Sequence, residues 1–254
     1  METKREERIQ KLIQVVKDID KIHLRDAAQL LDVSEMTIRR DLSAGSSALI
    51  LLGGYIVTDP KTGNVNNYFV DEQKFKNVDE KRYIGQLAAR LITENEVVFF
   101  DSGTTVPFIV EHIPDELVFT GICYSLNTFL ALQDKPNCTV ILCGGEFKTS
   151  SYIFTTVGGH NELNFIYPNK AFISAAGISL EHGVTTFILD EVKLKMQAMS
   201  VSQKNILVAD RYKFENVRAG RFGSLDNFEQ LVTDSMPDNK YQRYFREHGI
   251  EVIC

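Results

Sequence analysis

DAAQLLDVSEMTIRRDL, residues 26–42, decides how the first part of this chain is read. Residues 24–31 and 35–43 each place apolar side chains at helical spacing, and Asp32-Val33 is a turn between them. Ser34 stands at the N-cap of the second helix, where a hydroxyl accepts from an otherwise orphaned backbone N–H. Ala27, Leu30, Leu31, Val33, Ile38 and Leu42 are expected to form a small apolar core. Upstream, residues 4–17 carry Ile9, Leu12, Ile13 and Val16 on one helical face. Downstream, Ala44-Gly45-Ser46-Ser47 breaks the pattern, and ALILLGGYIV, 48–57, reads as a hairpin around Gly53-Gly54. The expectation is a winged helix-turn-helix over 1–57, with the hairpin as its wing.

Such a unit presents the start of its second helix to the major groove. The candidate DNA-reading residues are therefore Ser34, Glu35, Met36, Thr37, Arg39 and Arg40. Arginine matches the O6/N7 edge of guanine, and Thr and Met offer apolar contact to a thymine methyl. An ordinary helical hairpin fits the same pattern, with its charges solvated or with Asp41 neutralising Arg39 and Arg40. Charge does not separate the two. Residues 1–43 hold nine bases and nine acids, so the whole net charge of −6 lies in 44–254. A basic footprint is missing, and the motif alone carries the DNA reading.

Residues 58–77, including the polar run DPKTGNVNN at 59–67, read as a linker. From 78 onward the character changes. Apolar strands EVVFF (96–100), LVFTGICY (117–124), TVILC (139–143), AFISAAG (171–177), NILVA (205–209), LVT (231–233) and EVI (251–253) alternate with helical stretches. Those stretches are 79–93, 105–113, 126–133, 190–203 and 239–248. This alternation predicts a mostly parallel sheet with helices on both faces, a Rossmann-like α/β domain over 78–254.

In such sheets ligands sit beyond the carboxyl ends of the strands. Three loops there carry suitable chemistry. Ser102, Gly103, Thr104 and Thr105 offer hydroxyls and backbone N–H groups where a helix begins, which suits a phosphate. Tyr124-Ser125-Leu126-Asn127 follows a second strand, and Gly144-Gly145 a third. Each also reads as a plain capping turn.

Several classes are excluded or disfavoured. No apolar run approaches the roughly 18 residues of a membrane helix. METKREERIQ has no apolar core and is not a signal peptide, so a cytoplasmic location is expected. Cys123, Cys138, Cys143 and Cys254 form no Cys-x-x-Cys pair, have no His at ligand spacing, and read as free thiols rather than metal ligands.

DAAQLLDVSEMTIRRDL followed by LLGGYIV resembles the N-terminal signature of DeoR-family bacterial repressors, in which V-S-x-M-T-I-R-R-D-L is the recognition segment. The likeness continues through METKREERI, VFFDSGTT, CYSLNTFLAL, LCGGEF, SAAG and LVADRYKF. CYSLNTFLAL and SAAG, in place of the family's commoner T-N-S and G-A-D-G, favour its deoxyribonucleoside-catabolism branch. The resemblance implies a homo-oligomeric repressor that binds operator DNA and is released by 2-deoxyribose 5-phosphate, with no cofactor and no catalysis. An activator, or a regulator answering another phosphorylated sugar, stays open.

The family's C-terminal domain is similar to ribose-5-phosphate isomerase, which makes an enzyme with an accessory DNA-binding domain the main alternative. By that likeness Asp101–Thr105 is the phosphate loop, Lys213 in ADRYK a phosphate lysine, and Glu191 stands near the catalytic carboxylate. The departures point away from catalysis. Ile173-Ser174-Ala175-Ala176 replaces an acidic D-G-A-D segment, and His182-Gly183 replaces a lysine-glycine pair. Aldose–ketose isomerisation needs a base and an acid, and much of that apparatus is absent. No role is assigned to His182 or Lys204.

Overall fold

The computed structural model describes residues 4–19, 21–43, 49–52, 54–58, 76–148, 151–158 and 161–254. They fall in two compact units, 1–69 and 70–254. The breaker segment at 44–47 and nearly all of the expected linker, 59–75, lie outside the described residues.

The first unit runs α1 (Lys4–Ile19), β1 (Lys21–His23), α2 (Leu24–Leu30), α3 (Glu35–Ser43), β2 (Leu49–Leu52) and β3 (Tyr55–Thr58). β2 and β3 form the expected hairpin, with Leu51 opposite Ile56. Gly54 holds φ +85°, a left-handed conformation that glycine adopts at little cost. β1 adds a third antiparallel strand, Ile22 against Ile56. Three residues are too short to show an alternation in sequence; only pairing with the hairpin defines them as a strand.

Leu12, Val16, Ile22, Leu24, Ala27, Ala28, Ile38, Leu49 and Ile56 make the core of this unit. Leu30 is a correction: it is 57% exposed. The inward stripe of α2 is Leu24, Ala27, Ala28 and Leu31, spaced i, i+3, i+4, i+7, and Leu30 falls outside it. Asp41 is buried and held by α1: Arg8 Nε donates to its carboxylate at 2.8 Å, and Arg5 donates to its carbonyl at 3.0 and 3.1 Å. α3 is thereby clamped to α1.

The second unit runs α4 (Val78–Ala89), β4 (Val97–Phe100), α5 (Val106–Glu111), β5 (Phe119–Cys123), α6 (Leu126–Gln133), β6 (Cys138–Leu142), β7 (Glu146–Lys148), β8 (Ile153–Thr155), β9 (Lys170–Ser174), β10 (Gly177–Ser179), β11 (Gly183–Thr186), α7 (Leu189–Val201), β12 (Asn205–Val208), β13 (Gly220–Gly223), β14 (Gln230–Val232), α8 (Asn239–Glu247) and β15 (Glu251–Ile253). Seven strands form a parallel sheet in the order β15-β14-β12-β9-β4-β5-β6. Strand side chains alternate between two cores. Phe99, Ile122, Ile173 and Leu207 face α7 and α8, while Phe100, Cys123, Phe172 and Val208 face α4, α5 and α6. That is the two-faced architecture that the continuous apolar runs predict.

AFISAAG is not one strand. The chain leaves the main sheet after Ser174, and Gly177 opens β10 of a separate antiparallel sheet, β10-β11-β13. A Cβ at Gly177 would lie 2.4 Å from the Asn216 carbonyl oxygen. This small sheet and the β7–β8 hairpin escape sequence reading because their short strands (EFK, IFT, GIS, GVTT, GRFG) mix in polar and glycine residues and form no continuous apolar run.

The strand order fixes where a ligand belongs. From β4 the chain builds outward through β5 and β6, then returns to β4's other side for β9, β12, β14 and β15. The order reverses between β4 and β9, and the crevice beyond such a reversal is where open α/β sheets bind ligands.

Removing the clamp on α3 tests the first unit. Asp41→Ala is expected to cost about 1–3 kcal/mol, the usual worth of a charge-assisted hydrogen bond, read as an earlier unfolding transition of that unit in urea.

Candidate functional sites

α3 begins from a cap made by Ser34. Thr37 N–H donates to Ser34 Oγ at 3.2 Å, and the two hydroxyls are 2.9 Å apart. The cap faces solvent, as do Glu35, Arg39 and Arg40, and Met36 is 72% exposed. Ile38 is buried in the core and Leu42 packs against it. One face of α3 thus holds the helix in place while the other offers the residues expected to meet base edges.

At the sheet reversal the structure gathers Asp101, Ser102, Tyr124 and Glu191 from three separate segments. Asp101 follows β4 and is fully buried. Its carboxylate accepts from the Ser174 N–H at 2.8 Å, from the Ser174 hydroxyl at 2.7 Å, from the Tyr124 hydroxyl and from the Lys195 ammonium. Its carbonyl accepts from Thr128 at 2.9 Å. Burial works against its charge, but the Lys195 ammonium and the hydrogen bonds outweigh that and hold the carboxyl below the ordinary aspartate range. Burial, reinforced by the charges of Asp101 and Glu191, pushes Tyr124 well above its ordinary value, so it remains a proton donor.

Ser102 is the junction. The Tyr124 proton goes to Asp101, which leaves the Ser102 proton for Glu191 Oε1 at 2.9 Å. The other Glu191 oxygen accepts from Thr186 at 2.8 Å and lies 3.9 Å from Lys195. Burial raises the Glu191 carboxyl, opposed by Lys195 and reinforced by Asp101. Gly103 is required by contact: a Cβ there would sit 2.0 Å from Ser174 Oγ.

Family comparisons now bear on this arrangement. Residues 8–61 match the DeoR-like helix-turn-helix domain, and residues 76–235 match the DeoR C terminal sensor domain. The chain is 48% identical over 253 residues to the deoxyribose operon repressor of Escherichia coli (strain K12), covering 100% of both chains. The chain belongs to the DeoR family. It is also 29% identical to the HTH-type transcriptional regulator GolR of Listeria innocua, over 97% of each chain. Among solved structures, ribose 5-phosphate isomerase A from Neisseria gonorrhoeae is similar at TM-score 0.36 and 16% identity, over 53% of this chain and 52% of that one. The isomerase from Methanocaldococcus jannaschii is similar at TM-score 0.39 and 15% identity, over 55% of each.

Within this DeoR-family sensor unit the other expected ligand residues are more dispersed. Thr104 is partly exposed and Thr105 buried at the start of α5. Ser125 is buried with its hydroxyl lacking a hydrogen bond, Leu126 donates its N–H to Tyr152, and Asn127 is partly exposed. Gly144 and Gly145 are exposed, and Gly145 serves the β7–β8 hairpin, since a Cβ there would lie 2.0 Å from the Thr155 carbonyl oxygen. Lys213 lies 3.8 Å from Asp210, after β12. Cys123 and Cys143 are buried thiols whose pKa values burial lifts to about 12. A cavity of about 410 Å³ bordered by Met196, Asn205 and Phe222 lies at the opposite, N-terminal edge of the strands, away from this chemistry.

Sequence reading missed Lys195, Ser174, Thr186 and Thr128. Lys195 had a visible signal: Glu191 and Lys195 are spaced i, i+4 on one helix, the spacing of an ion pair. Their partner Asp101 is 94 residues away from Lys195 and could come only from the fold.

Lys195→Met is expected to strand the Asp101 charge and cost about 3–5 kcal/mol, the penalty for breaking a buried pair. The check is equilibrium denaturation of the full chain. An unchanged midpoint would show that the pair does not hold the sheet edge together.

Proposed function

We propose that this protein represses deoxyribose-catabolism genes, reading operator DNA through α3 and leaving it when 2-deoxyribose 5-phosphate enters the sensor unit at the β4–β9 reversal. The observation that carries this reading is the 48% identity over both full lengths to a deoxyribose operon repressor. The geometry supports it: the Ser102–Thr105 loop follows the strand at the reversal, where a sugar phosphate would have hydroxyls and backbone N–H groups within reach.

Binding without turnover fits the site's chemistry. Where the isomerase likeness expects acidic residues, the chain has Ile173-Ser174-Ala175-Ala176. Ser174 spends both its N–H and its hydroxyl on Asp101. Asp101 is in turn closed by Lys195 and Tyr124, which leaves it no part in moving a substrate proton. Catalytic residues and metal ligands are therefore not assigned, and no cofactor is invoked. A homo-oligomer follows from the way helix-turn-helix readers engage two half-sites, and a repressor of this kind works in the cytoplasm.

Release requires that the effector bind one state of the protein more tightly than the other; equal affinity shifts nothing. The Ser102 hydroxyl, committed to Glu191 in the structure, is the group whose partner a bound sugar phosphate would change.

Labelled promoter DNA and purified protein, titrated with 2-deoxyribose 5-phosphate, ribose 5-phosphate and free 2-deoxyribose, test the effector. Selective release by the deoxy sugar phosphate is expected; release by none of the three removes that effector. Thr104→Ala should raise the releasing concentration about tenfold or more, as loss of a hydrogen bond to a charged group implies. Arg40→Ala should weaken operator binding by about 1–3 kcal/mol, measured by mobility shift at fixed salt. Unchanged operator affinity would take Arg40 out of the interface.

A further inference from the structure

The two faces of α7 have different surroundings. With successive residues about 100° apart around the axis, Glu191, Leu194, Lys195 and Ala198 share the inner face and are buried, and Glu191 and Lys195 belong to the network around Asp101. Leu189, Lys193, Met196 and Ser200 share the outer face and are exposed. Gln197 and Met199 stand on opposite flanks of that outer stripe, about 160° apart by the same geometry.

On the Gln197 flank the surface carries a ridge. Gln197 exchanges hydrogen bonds with the Asn161 amide at 2.9 and 3.1 Å and donates to Asn164 at 2.5 Å, which pins the turn Glu162–Asn164 beside the helix. Just past the end of α7, the Gln203 N–H donates to the Pro168 carbonyl at 2.9 Å. Between these two ties the chain presents Phe165, 84% exposed, and Tyr167, 72% exposed. Ile166 packs inward between them, so the loop is anchored with both aromatic rings outward.

On the Met199 flank lies the hollow of about 410 Å³ at the N-terminal edge of the strands, bordered by Met196, Met199 and Ser200 of α7 and by Phe222 of β13. Phe222 is buried, and the Lys195 ammonium is 5.2 Å from the centre of its ring, so the hollow shares a wall with the Asp101 network. Asp226 and Glu229 are exposed at its border. On the other side of the stripe the exposed charge of α7 is basic: Lys193 leans toward the Gln197 flank.

Exposed aromatic rings and methionines are what interfaces between proteins collect. Here they are arranged as a ridge and a hollow at the same height on opposite flanks of one helix, which is a self-complementary surface. A two-fold axis parallel to α7 brings the ridge of each copy to the hollow of the other, the same contact made twice, as an isologous interface requires. The charges agree with that pairing, because it brings the side bearing Lys193 to the side bearing Asp226 and Glu229.

We propose that this face of α7 is where two copies of the chain associate, with Phe165 and Tyr167 of each seated in the hollow between α7 and β13 of the other. The inference rests on the homo-oligomer of the reading above and gives it a surface. That surface is the back of the helix whose inner face carries Glu191 and Lys195, so self-association and the network around Asp101 share one rigid element.

The test is the solution mass of the full chain by sedimentation equilibrium, for wild type, Phe165→Asp, Met196→Lys and Leu130→Asp, with circular dichroism to confirm folding. Leu130 is an exposed apolar residue of α6, on the other face of the sheet, and serves as the control. Wild type is expected as a dimer or a larger even-numbered assembly. Phe165→Asp and Met196→Lys should each weaken association by about tenfold or more, as loss of a central interface side chain does, and sediment at about half the wild-type mass or less. Leu130→Asp should match wild type. Photocrosslinking with p-benzoylphenylalanine in place of Phe165 should give a covalent dimer, joined to Met196, Met199 or Phe222 of the partner subunit. A wild type that is monomeric at every concentration overturns the proposal together with the homo-oligomer, and leaves the hollow to another occupant. An oligomeric wild type whose two variants keep its mass, or a crosslink that maps elsewhere, overturns this face alone and leaves the homo-oligomer standing. If either charged variant does not fold, the crosslink decides, because it keeps an aromatic ring at position 165.

Discussion

A charged pair with almost no access to water lies at the point where the strand order of the sensor sheet reverses. Lys195 on α7 and Asp101 after β4 are both buried, and burial of either alone would be expensive. The cost is met because every part of the pair is used. Ser174 and Tyr124 complete the carboxylate, and the Ser174 carbonyl accepts from the ammonium at 3.1 Å. The result is a fixed frame joining β4, β9, the segment after β5, and α7. Ser102 is the next residue after Asp101, so the loop expected to meet an effector hangs directly from this frame.

The two groups at the centre of this frame are fixed in charge. Asp101 is held ionised and Tyr124 protonated, so neither changes state near neutral pH. One step outward, Ser102 and Glu191 are joined by a hydrogen bond of 2.9 Å. Asp101 is neutralised by Lys195, and Ser174 spends its N–H and its hydroxyl on the same carboxylate.

The N-terminal unit follows a similar economy. Its apolar core is small, and the clamp from Arg5 and Arg8 to Asp41 adds polar reinforcement across α1 and α3. Two bases of the neutral segment 1–43 are thus turned inward, while Arg39 and Arg40 stay on the outer face of α3. Net charge hides this sorting, which is why the motif was informative and the charge count was not.

Local patterning was sufficient for the helices, the hairpin and the parallel strands, because 3.6-residue and two-residue periods survive in a linear string. The V-S-E-M-T-I-R-R-D-L segment marked the expected DNA-reading helix through its family resemblance, and FFDSGTT marked the loop after β4. Other features were invisible in the string. Leu30 looked like core because it is apolar, yet the stripe of α2 passes it by. β1, β7, β8 and β10 are strands only because a partner lies alongside. Ser174 and Lys195 gain their meaning from residues dozens of positions away. A sequence by itself determines which stretches can bury a face and which side chains carry charge. Only tertiary structure decides which of those charges meet, because the free energy of a buried ion depends on partners brought within a few ångströms by the path of the chain.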